Sequence, residues 1–167
     1  NSFVTLSKND VYDGLTQGTV EAWVQWSGSG YDTIFSADSG NCLNPFELAM
    51  DNGRLAVWAG PSGCSATFNA EVTIPNPTGW HHIAYVVSAT GNEFYVDGVK
   101  QTPTYVIGSA ATAFFFSNAA AGATKYEIGR SVDNNVETFQ GTIDEVRIYD
   151  RALTATEIQN DMNTPVQ

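Results

Sequence analysis

The sequence predicts an all-β fold of the sandwich or barrel type, and three observations lead to this prediction. Apolar and polar residues alternate along short segments, most clearly between Thr19 and Trp26. Gly, Asn, Asp and Pro separate these segments at short intervals, and no long helical pattern lies between them. Short alternating segments bounded by turn residues are typical of antiparallel sheets, whereas a parallel sheet needs helices between its strands.

The alternation places the strands. In Thr19–Trp26 the Val, Ala, Val and Trp side chains take every second position, which predicts one fully buried face and one partly buried face. Further strands are predicted at Thr33–Ala37, Phe46–Met50, Arg54–Ala59, Glu71–Ile74, His81–Val87, Glu93–Val96, Tyr105–Ile107, Tyr126–Ile128 and Thr142–Tyr149. One more strand, Ala113–Phe116, is expected inside a loop of small residues between Ala110 and Ala123.

Two tight turns predict β-hairpins. Asn52-Gly53 follows Asp51 and joins two of the predicted strands, and Asp97-Gly98 follows another. Asn-Gly and Asp-Gly tolerate positive φ at both central positions of a type I′ turn, whose twist matches that of a hairpin.

One short helix is predicted near the C-terminus. Thr154 is a good N-cap, and Glu157, three residues later, completes a capping box. Leu153 and Ile158 are placed to pack together as a hydrophobic staple across this cap. The helix should end before Pro165, which cannot continue its hydrogen bonds.

Length and composition indicate one globular domain covering residues 1–167. A chain of 167 residues is long enough to bury a proper core, and no linker, composition shift or internal repeat divides it. No apolar run reaches the roughly 20 residues that a membrane-spanning helix needs.

The charge balance excludes two classes of partner. The chain has 18 acidic and 7 basic residues, which give a formal net charge of −11. Such a surface repels nucleic acid and anionic lipid, because both need a basic patch. Two explanations of the acidity stay open: solubility alone, or carboxylates that hold a hard cation such as Ca²⁺.

The two cysteines, Cys42 and Cys64, lie in Gly, Asn, Pro and Ser surroundings typical of loops. Nothing nearby resembles a quartet of metal ligands, so a disulfide is favoured. On the loop-entropy model such a bridge stabilises the fold by roughly 3 kcal/mol. Two free thiols are the alternative.

Five segments together resemble the laminin G-like, or concanavalin A-like, family. They are Gly18–Val24, Gly79–Val86, Phe94–Val99, Tyr126–Arg130 and Gly141–Thr154. The resemblance implies a two-sheet antiparallel jelly-roll β-sandwich, here with one short C-terminal helix. Members mostly bind carbohydrates, matrix proteins or cell-surface ligands, often as parts of larger secreted proteins. The resemblance therefore also implies a secreted or cell-surface location within a larger multidomain protein.

Several residues of these segments are interpreted as architectural. Trp80 and Tyr95 are expected in the core rather than as sugar platforms. His81 and His82 are neighbours in a predicted strand, so their side chains point to opposite faces and cannot chelate one ion.

Asp144 is the candidate metal ligand. Ile143 is out of phase with Val146 and Ile148, which predicts a β-bulge near Asp144. In sugar-cleaving jelly-roll enzymes a similar aspartate holds a structural Ca²⁺ together with backbone carbonyls, and the resemblance implies the same role for Asp144. The alternative is a carboxylate paired with an arginine, Arg147 or Arg151.

The sequence offers no catalytic arrangement, and an enzyme is not expected. Glycosidases of this type carry paired carboxylates on one strand, about 5 Å apart for a retaining mechanism. Glu47 and Asp51 share a face, but Ala49 occupies the position between them. Asp144 and Glu145 are neighbours on opposite faces.

The predicted ligand-binding residues lie on strand faces and loops. They are Tyr31, Trp58, Arg130, Asp133, Asn134 and Asn135. Trp58 is out of phase with its apolar neighbours and so points outward, unless it lies under a loop. Tyr31 sits among glycines and serines, where an aromatic ring has little local reason for burial. The polar run after Arg130 either binds a ligand or only forms a turn.

These observations predict a non-catalytic carbohydrate-binding module, lectin-like and stabilised by structural calcium, with a polysaccharide or glycan as its partner. Sugars dock on exposed aromatic faces flanked by amides and carboxylates. The alternative is an adhesion domain that binds an extracellular protein. A diverged polysaccharide-degrading enzyme is the third candidate.

Overall fold

A computed structural model describes residues 2–6, 12, 14–40, 45–60, 65–119, 123–132 and 137–166. The strands are β1 (Val4–Leu6), β2 (Gly18–Trp26), β3 (Tyr31–Asp38), β4 (Phe46–Asp51), β5 (Arg54–Ala59), β6 (Phe68–Thr73), β7 (Trp80–Ser88), β8 (Gly91–Val96), β9 (Val99–Gln101), β10 (Thr104–Ile107), β11 (Lys125–Ile128) and β12 (Gly141–Tyr149). The helices described over their full length are α1 (Phe116–Ala119) and α2 (Ala155–Met162).

The strands form two antiparallel sheets. The seven-stranded sheet has the order β1-β11-β3-β4-β5-β6-β10, and the five-stranded sheet has the order β12-β2-β7-β8-β9. The predicted all-β jelly-roll sandwich is confirmed. Among the described residues no helix is long and apolar enough to cross a membrane.

Aromatic rings fill the space between the sheets. Phe46 on the seven-stranded sheet lies 6.0 Å from Tyr85 on the five-stranded sheet, and Tyr85 lies 5.0 Å from Phe94. Phe116 contacts Phe46 at 5.1 Å and Phe35 at 5.7 Å. All five side chains are fully buried. Such rings bury a large apolar area and prefer tilted or edge contacts, so they join the two layers into one core.

Both predicted hairpins are confirmed. Asn52 and Gly53 have φ of 47° and 83° between β4 and β5, and Asp97 and Gly98 have φ of 51° and 70° between β8 and β9. Positive φ at both central positions is the requirement of the type I′ turn that these residue pairs predicted.

Two segments differ from the sequence-based expectation. Strand β1 was not predicted, and Ala113–Phe116 does not form a strand, because α1 begins at Phe116. Phe115 and Phe116 stack at 4.3 Å, and both are fully buried. Neighbouring residues of a strand point to opposite faces, so a strand cannot bury both rings in one core, whereas this connection does.

The C-terminal helix α2 has the predicted cap. The Thr154 side chain accepts from the Glu157 amide, and the Glu157 side chain accepts from the Thr154 amide. Leu153 and Ile158 are buried with Tyr95 in a second apolar cluster on the outer face of the five-stranded sheet. The helix therefore covers one part of that face.

We expect Thr154→Ala to lower the free energy of unfolding by about 1 kcal/mol, because it leaves amide groups of the first turn without an acceptor. Urea unfolding followed by tryptophan fluorescence measures this change. Thr154→Ser retains the hydroxyl and should stay within a few tenths of a kcal/mol of the parent. An equal loss in both variants would contradict the capping role.

Candidate functional site

The outer face of the seven-stranded sheet carries a row of polar side chains in register. Ser36 pairs with Glu47, Glu47 with Trp58, and Trp58 with Asn69, on four neighbouring strands. Their apolar neighbours along each strand point into the core instead. The predicted outward direction of Trp58 is thus confirmed, and this surface is named the seven-strand face.

Trp58 and Asn69 are the open part of the seven-strand face. Both side chains are half-buried, and within the described part of the chain neither the indole N–H nor the amide has a hydrogen-bond partner. The next row contains Ala49 and Ala56, which are both buried. The open surface therefore consists of the Trp58 indole and the Asn69 amide.

An ion pair and a buried carboxylate border this open part. Arg54 Nη1 lies 2.9 Å from Glu71 Oε2, with the arginine half-exposed. On the other side Glu47 is buried and accepts a hydrogen bond from Ser131 Oγ at 2.5 Å. Ser36 Oγ donates to the Arg130 carbonyl at 2.8 Å, so the chain at residues 130–132 lies against this face.

Asn69 and Arg54 were not among the predicted site residues. The predicted strand began at Glu71, whereas β6 begins at Phe68. The alternation of Phe68, Ala70 and Val72 with polar residues carries the missing signal.

Tyr31 is not the loop residue that its surroundings predicted. It is the first residue of β3 and pairs with Asp51. Burial, and next the nearby Glu47 carboxylate, raises the pKa of its phenol well above the usual value. Pairing with β4 turns the ring onto the sheet, which local glycines and serines do not reveal.

Arg130 lies at the β1–β11 side of the sheet. Its Nε and Nη2 donate to the two carboxylate oxygens of Glu127 at 2.8 and 2.7 Å. Its guanidinium also stacks on the Phe3 ring, 3.5 Å from the ring centre. Both contacts orient Arg130 away from the Trp58 end of the row. Three other predicted binding residues, Asp133, Asn134 and Asn135, lie outside the described residues.

The predicted disulfide also falls outside the described residues, since Cys42 and Cys64 both do. The connections that carry these cysteines join β3 to β4 and β5 to β6, and they lie at the same end of these strands. At that end the Gly60 amide donates to the Pro45 carbonyl at 3.0 Å. The bridge stays a prediction.

The bulge at Asp144 is confirmed. Asp144 pairs with Trp23 and Arg147 pairs with Glu21, so β12 holds one residue more than β2 between the two pairs. Glu145 within the bulge has a φ of 53°. Ile143, Val146 and Ile148 all pack against the core as a result.

Asp144 is exposed and offers few ligands for an ion by itself. Its Oδ1 accepts from the Glu145 amide at 2.8 Å. The two arginines considered as its partners pair elsewhere, Arg147 with Glu21 and Arg151 with Glu157. The described residues contain no group of three or more His, Cys, Asp or Glu side chains able to hold a metal. A calcium ion at Asp144 would therefore need backbone carbonyls as its other ligands, as the family resemblance implied.

A cleft of about 370 Å³ lies beside Asp144 on the outer face of the five-stranded sheet. It is named the tryptophan cleft. Its lining residues are Trp23, Trp80, Asp144, Glu145, Asp161, Met162, Thr164 and Pro165. Trp80 is 43% exposed, so its predicted place in the core is wrong, whereas Tyr95 is buried as predicted. Trp80 is the first residue of β7 and pairs with Gln25 of β2. Its side chain lies on the outer side of the sheet, beyond the part that α2 covers.

Two buried ionisable groups lie behind the cleft. Glu21 and His82 are both fully buried, with Glu21 Oε2 3.9 Å from His82 Nε2. Burial, and next the nearby Asp161 carboxylate, raises the pKa of Glu21 to about 7. Burial lowers the pKa of His82 to about 4. His81, its neighbour, instead pairs with Asp97 at 2.9 Å, which confirms that the two histidines face apart.

The two packed sheets define the class of fold as an antiparallel jelly-roll β-sandwich. The chain belongs to the concanavalin A-like lectin/glucanases superfamily, whose family model matches residues 1–159. A comparison with curated protein sequences finds no significant match.

Solved structures share the fold at low sequence identity. The CBM40 of the Ruminococcus gnavus IT-sialidase superimposes with a TM-score of 0.68 at 11% identity, over 96% of both chains. Domain 4 of AbnA, a GH43 extracellular arabinanase from Geobacillus stearothermophilus, gives 0.61 at 24% identity, over 88% of this chain and 66% of that one. The SAP-like pentraxin of Limulus polyphemus gives 0.59 at 19%, over 87% and 69%.

We expect Glu21→Gln to make stability less dependent on pH. A carboxyl group whose pKa rises on folding stabilises the fold below its unfolded pKa, near 4.5, and loses that contribution as the pH rises through about 7. At about 1.4 kcal/mol per pKa unit, the parent should lose on the order of 2–3 kcal/mol between pH 5 and pH 8, and the variant should not.

Urea unfolding at both pH values measures this difference. Asp150→Asn, which removes an exposed carboxylate at the end of β12, is the matched control and should follow the parent. A Glu21→Gln variant that also follows the parent would show that Glu21 is ionised throughout.

Proposed function

We propose that this chain is a non-catalytic carbohydrate-binding module that holds its glycan on the seven-strand face. The observation that carries the proposal is the half-exposed Trp58 indole beside the Asn69 amide, both without a hydrogen-bond partner among the described residues. A sugar ring packs its C–H face on such an indole and exchanges hydrogen bonds with the neighbouring amide.

The charged groups near the indole support the same site. Arg54 and Glu71 lie on the same two strands as Trp58 and Asn69, and their ion pair is able to bind hydroxyls. The site is open and polar at its rim, as suits a ligand with many hydroxyl groups.

A binding role is favoured over catalysis by the state of the carboxylates on this face. Glu47 is buried and hydrogen-bonded to Ser131, and Ala49 separates it from Asp51 along β4. A glycosidase needs two carboxyl groups that both reach the substrate. No pair of that kind was found on this face within the described part of the chain.

The fold neighbours support a glycan as the ligand class. The sialidase CBM40 is also known bound to α2,3-sialyllactose, and the arabinanase domain is in complex with arabinotriose. That domain is the fourth of an extracellular enzyme. We accordingly propose that this chain acts outside the cell as one module of a larger protein.

We expect Trp58→Ala to abolish retention of the protein by its glycan in affinity electrophoresis on a panel of neutral, acidic and amino-substituted polysaccharides. The loss of one stacked aromatic ring should weaken binding about tenfold or more. Trp80→Ala, which removes an exposed indole from the other sheet, is the matched control for a neutral glycan.

Retention on a neutral polysaccharide that survives Trp58→Ala would move the neutral-glycan site away from the seven-strand face. No retention of the folded parent on any polysaccharide would favour the adhesion domain, with a protein ligand. Release of reducing ends during incubation would favour the diverged enzyme.

We further propose that Asp144 binds a structural Ca²⁺ ion with backbone carbonyls, since Ca²⁺ takes six to eight oxygen ligands and accepts carbonyls readily. Calcium should then raise the melting temperature of the parent and leave that of Asp144→Ala unchanged, because a ligand of the folded state stabilises it. Differential scanning calorimetry with calcium and with EDTA measures this. An equal rise in both proteins would remove Asp144 from the site.

A further inference from the structure

We infer that the tryptophan cleft is a second binding site, for a glycan unit that carries a protonated amino group. The cleft lies on the five-stranded sheet, whereas the proposed neutral-glycan site lies on the seven-stranded sheet. The two sites share no residue, so each can fail without the other.

The shape of the cleft suits one sugar ring. Its volume of about 370 Å³ lies in the range of small-molecule sites, roughly 300–1,000 Å³. Trp80 presents an indole that is 43% exposed, and Trp23, fixed edge-on against the buried His82 at 5.5 Å, closes the floor. Met162 and Pro165 supply further apolar lining, contributed by the end of α2 and the chain beyond it.

The charge of the cleft favours a positively charged ligand. Asp144, Glu145 and Asp161 line it, and Glu21 lies buried behind it. One guanidinium, that of Arg147, faces them: it lies 2.9 Å from Glu145 and 3.3 Å from Glu21. Glu21 is largely protonated in mildly acidic buffer because its pKa is raised, so the negative charge comes from the three carboxylates that line the cleft.

The other basic groups of this sheet pair elsewhere. Lys100 binds Glu93 at 2.7 Å, and Arg151 binds Glu157 at 2.9 Å. The cleft therefore carries uncompensated negative charge beside two indole rings.

Among these carboxylates Asp144 has the most capacity for a ligand. Its Oδ1 accepts from the Glu145 amide, and Oδ2 has no partner among the described residues. Glu145 Oε2 already accepts from Arg147 and from the Val166 amide, and Asp161 Oδ2 accepts from the Tyr149 hydroxyl.

An ammonium group beside Asp144 would pair with the carboxylate and also contact the indole rings. Indole faces attract cations, and carboxylates form strong charge-assisted hydrogen bonds with ammonium donors. A sugar ring in addition covers the apolar wall with its C–H face. An amino sugar offers both features in one ring, which a neutral hexose does not.

Three tetrasaccharides with one backbone test the inference. They are the β-1,4-linked tetramers of glucosamine, N-acetylglucosamine and glucose, which differ only in the group at C2. Calorimetry in mildly acidic buffer should show binding of the glucosamine tetramer at least about tenfold tighter than that of the other two, because only it carries a cation for the carboxylates and indoles. Equal binding of all three would overturn the inference.

Variants locate the binding. Trp80→Ala should weaken binding of the glucosamine tetramer about tenfold, and Trp80→Phe should retain most of it. Asp144→Asn should weaken it about threefold, as suits an exposed charge pair, while Asp150→Asn leaves it unchanged. Trp58→Ala, which disables the seven-strand face, should leave it unchanged. Loss with Trp58→Ala and survival with Trp80→Ala would place the amino sugar on the other sheet and overturn the inference.

Two further measurements separate other occupants. In EDTA, which removes the calcium proposed at Asp144, binding should persist or tighten, because Ca²⁺ and the ammonium group compete for the same carboxylate. Loss of binding in EDTA would assign the contact to a metal ion instead. Tetralysine should bind at least about tenfold more weakly than the glucosamine tetramer, because it lacks the ring that the indole wall requires. Equal affinity for tetralysine would assign the cleft to a basic peptide and overturn the amino-sugar assignment.

Discussion

The hold of Arg147 on the C-terminal segment is the interaction on which the outer face of the five-stranded sheet depends. Its guanidinium donates to the carbonyls of Asp161 and Thr164 while it pairs with Glu21 on β2. Thr19 adds a second tie, since its hydroxyl donates to the Arg151 carbonyl and accepts from the Leu153 amide. These bonds fix the end of α2 and the chain after it beside Arg147, while α2 itself packs against β7 and β8. The end of α2 and the chain after it form one wall of the tryptophan cleft.

The bulge in β12 makes that hold geometrically possible. A regular strand that faced Asp144 outward would place Arg147 toward the core, because side chains alternate. The extra residue at Glu145 lets Asp144 and Arg147 both face outward, opposite Trp23 and Glu21. The same device keeps Ile143 and Ile148 on the core side. One local irregularity thus serves the core, the buried ion pair and the cleft.

The two faces of the sandwich present related chemistry in different settings. On the seven-strand face Trp58 lies among an amide and an ion pair, which suits a neutral glycan. In the cleft Trp80 lies among carboxylates that share one arginine, which suits a cation. Each indole is exposed where the opposite strand register places small or polar neighbours. The interior, in contrast, packs its rings against one another.

The sequence by itself determined the local features: the two type I′ turns, the capping box at Thr154, the alternation of β2 and the phase break at Asp144. Each depends on a residue's own φ preference or on side chains within a few positions, so a linear pattern contains it. Only the tertiary structure decided that Tyr31 turns onto the sheet, that Trp80 is exposed, and that Trp58 meets Asn69. Those outcomes depend on strand register and on where α2 docks, which bring together residues far apart in the chain. A linear pattern carries no record of such pairings.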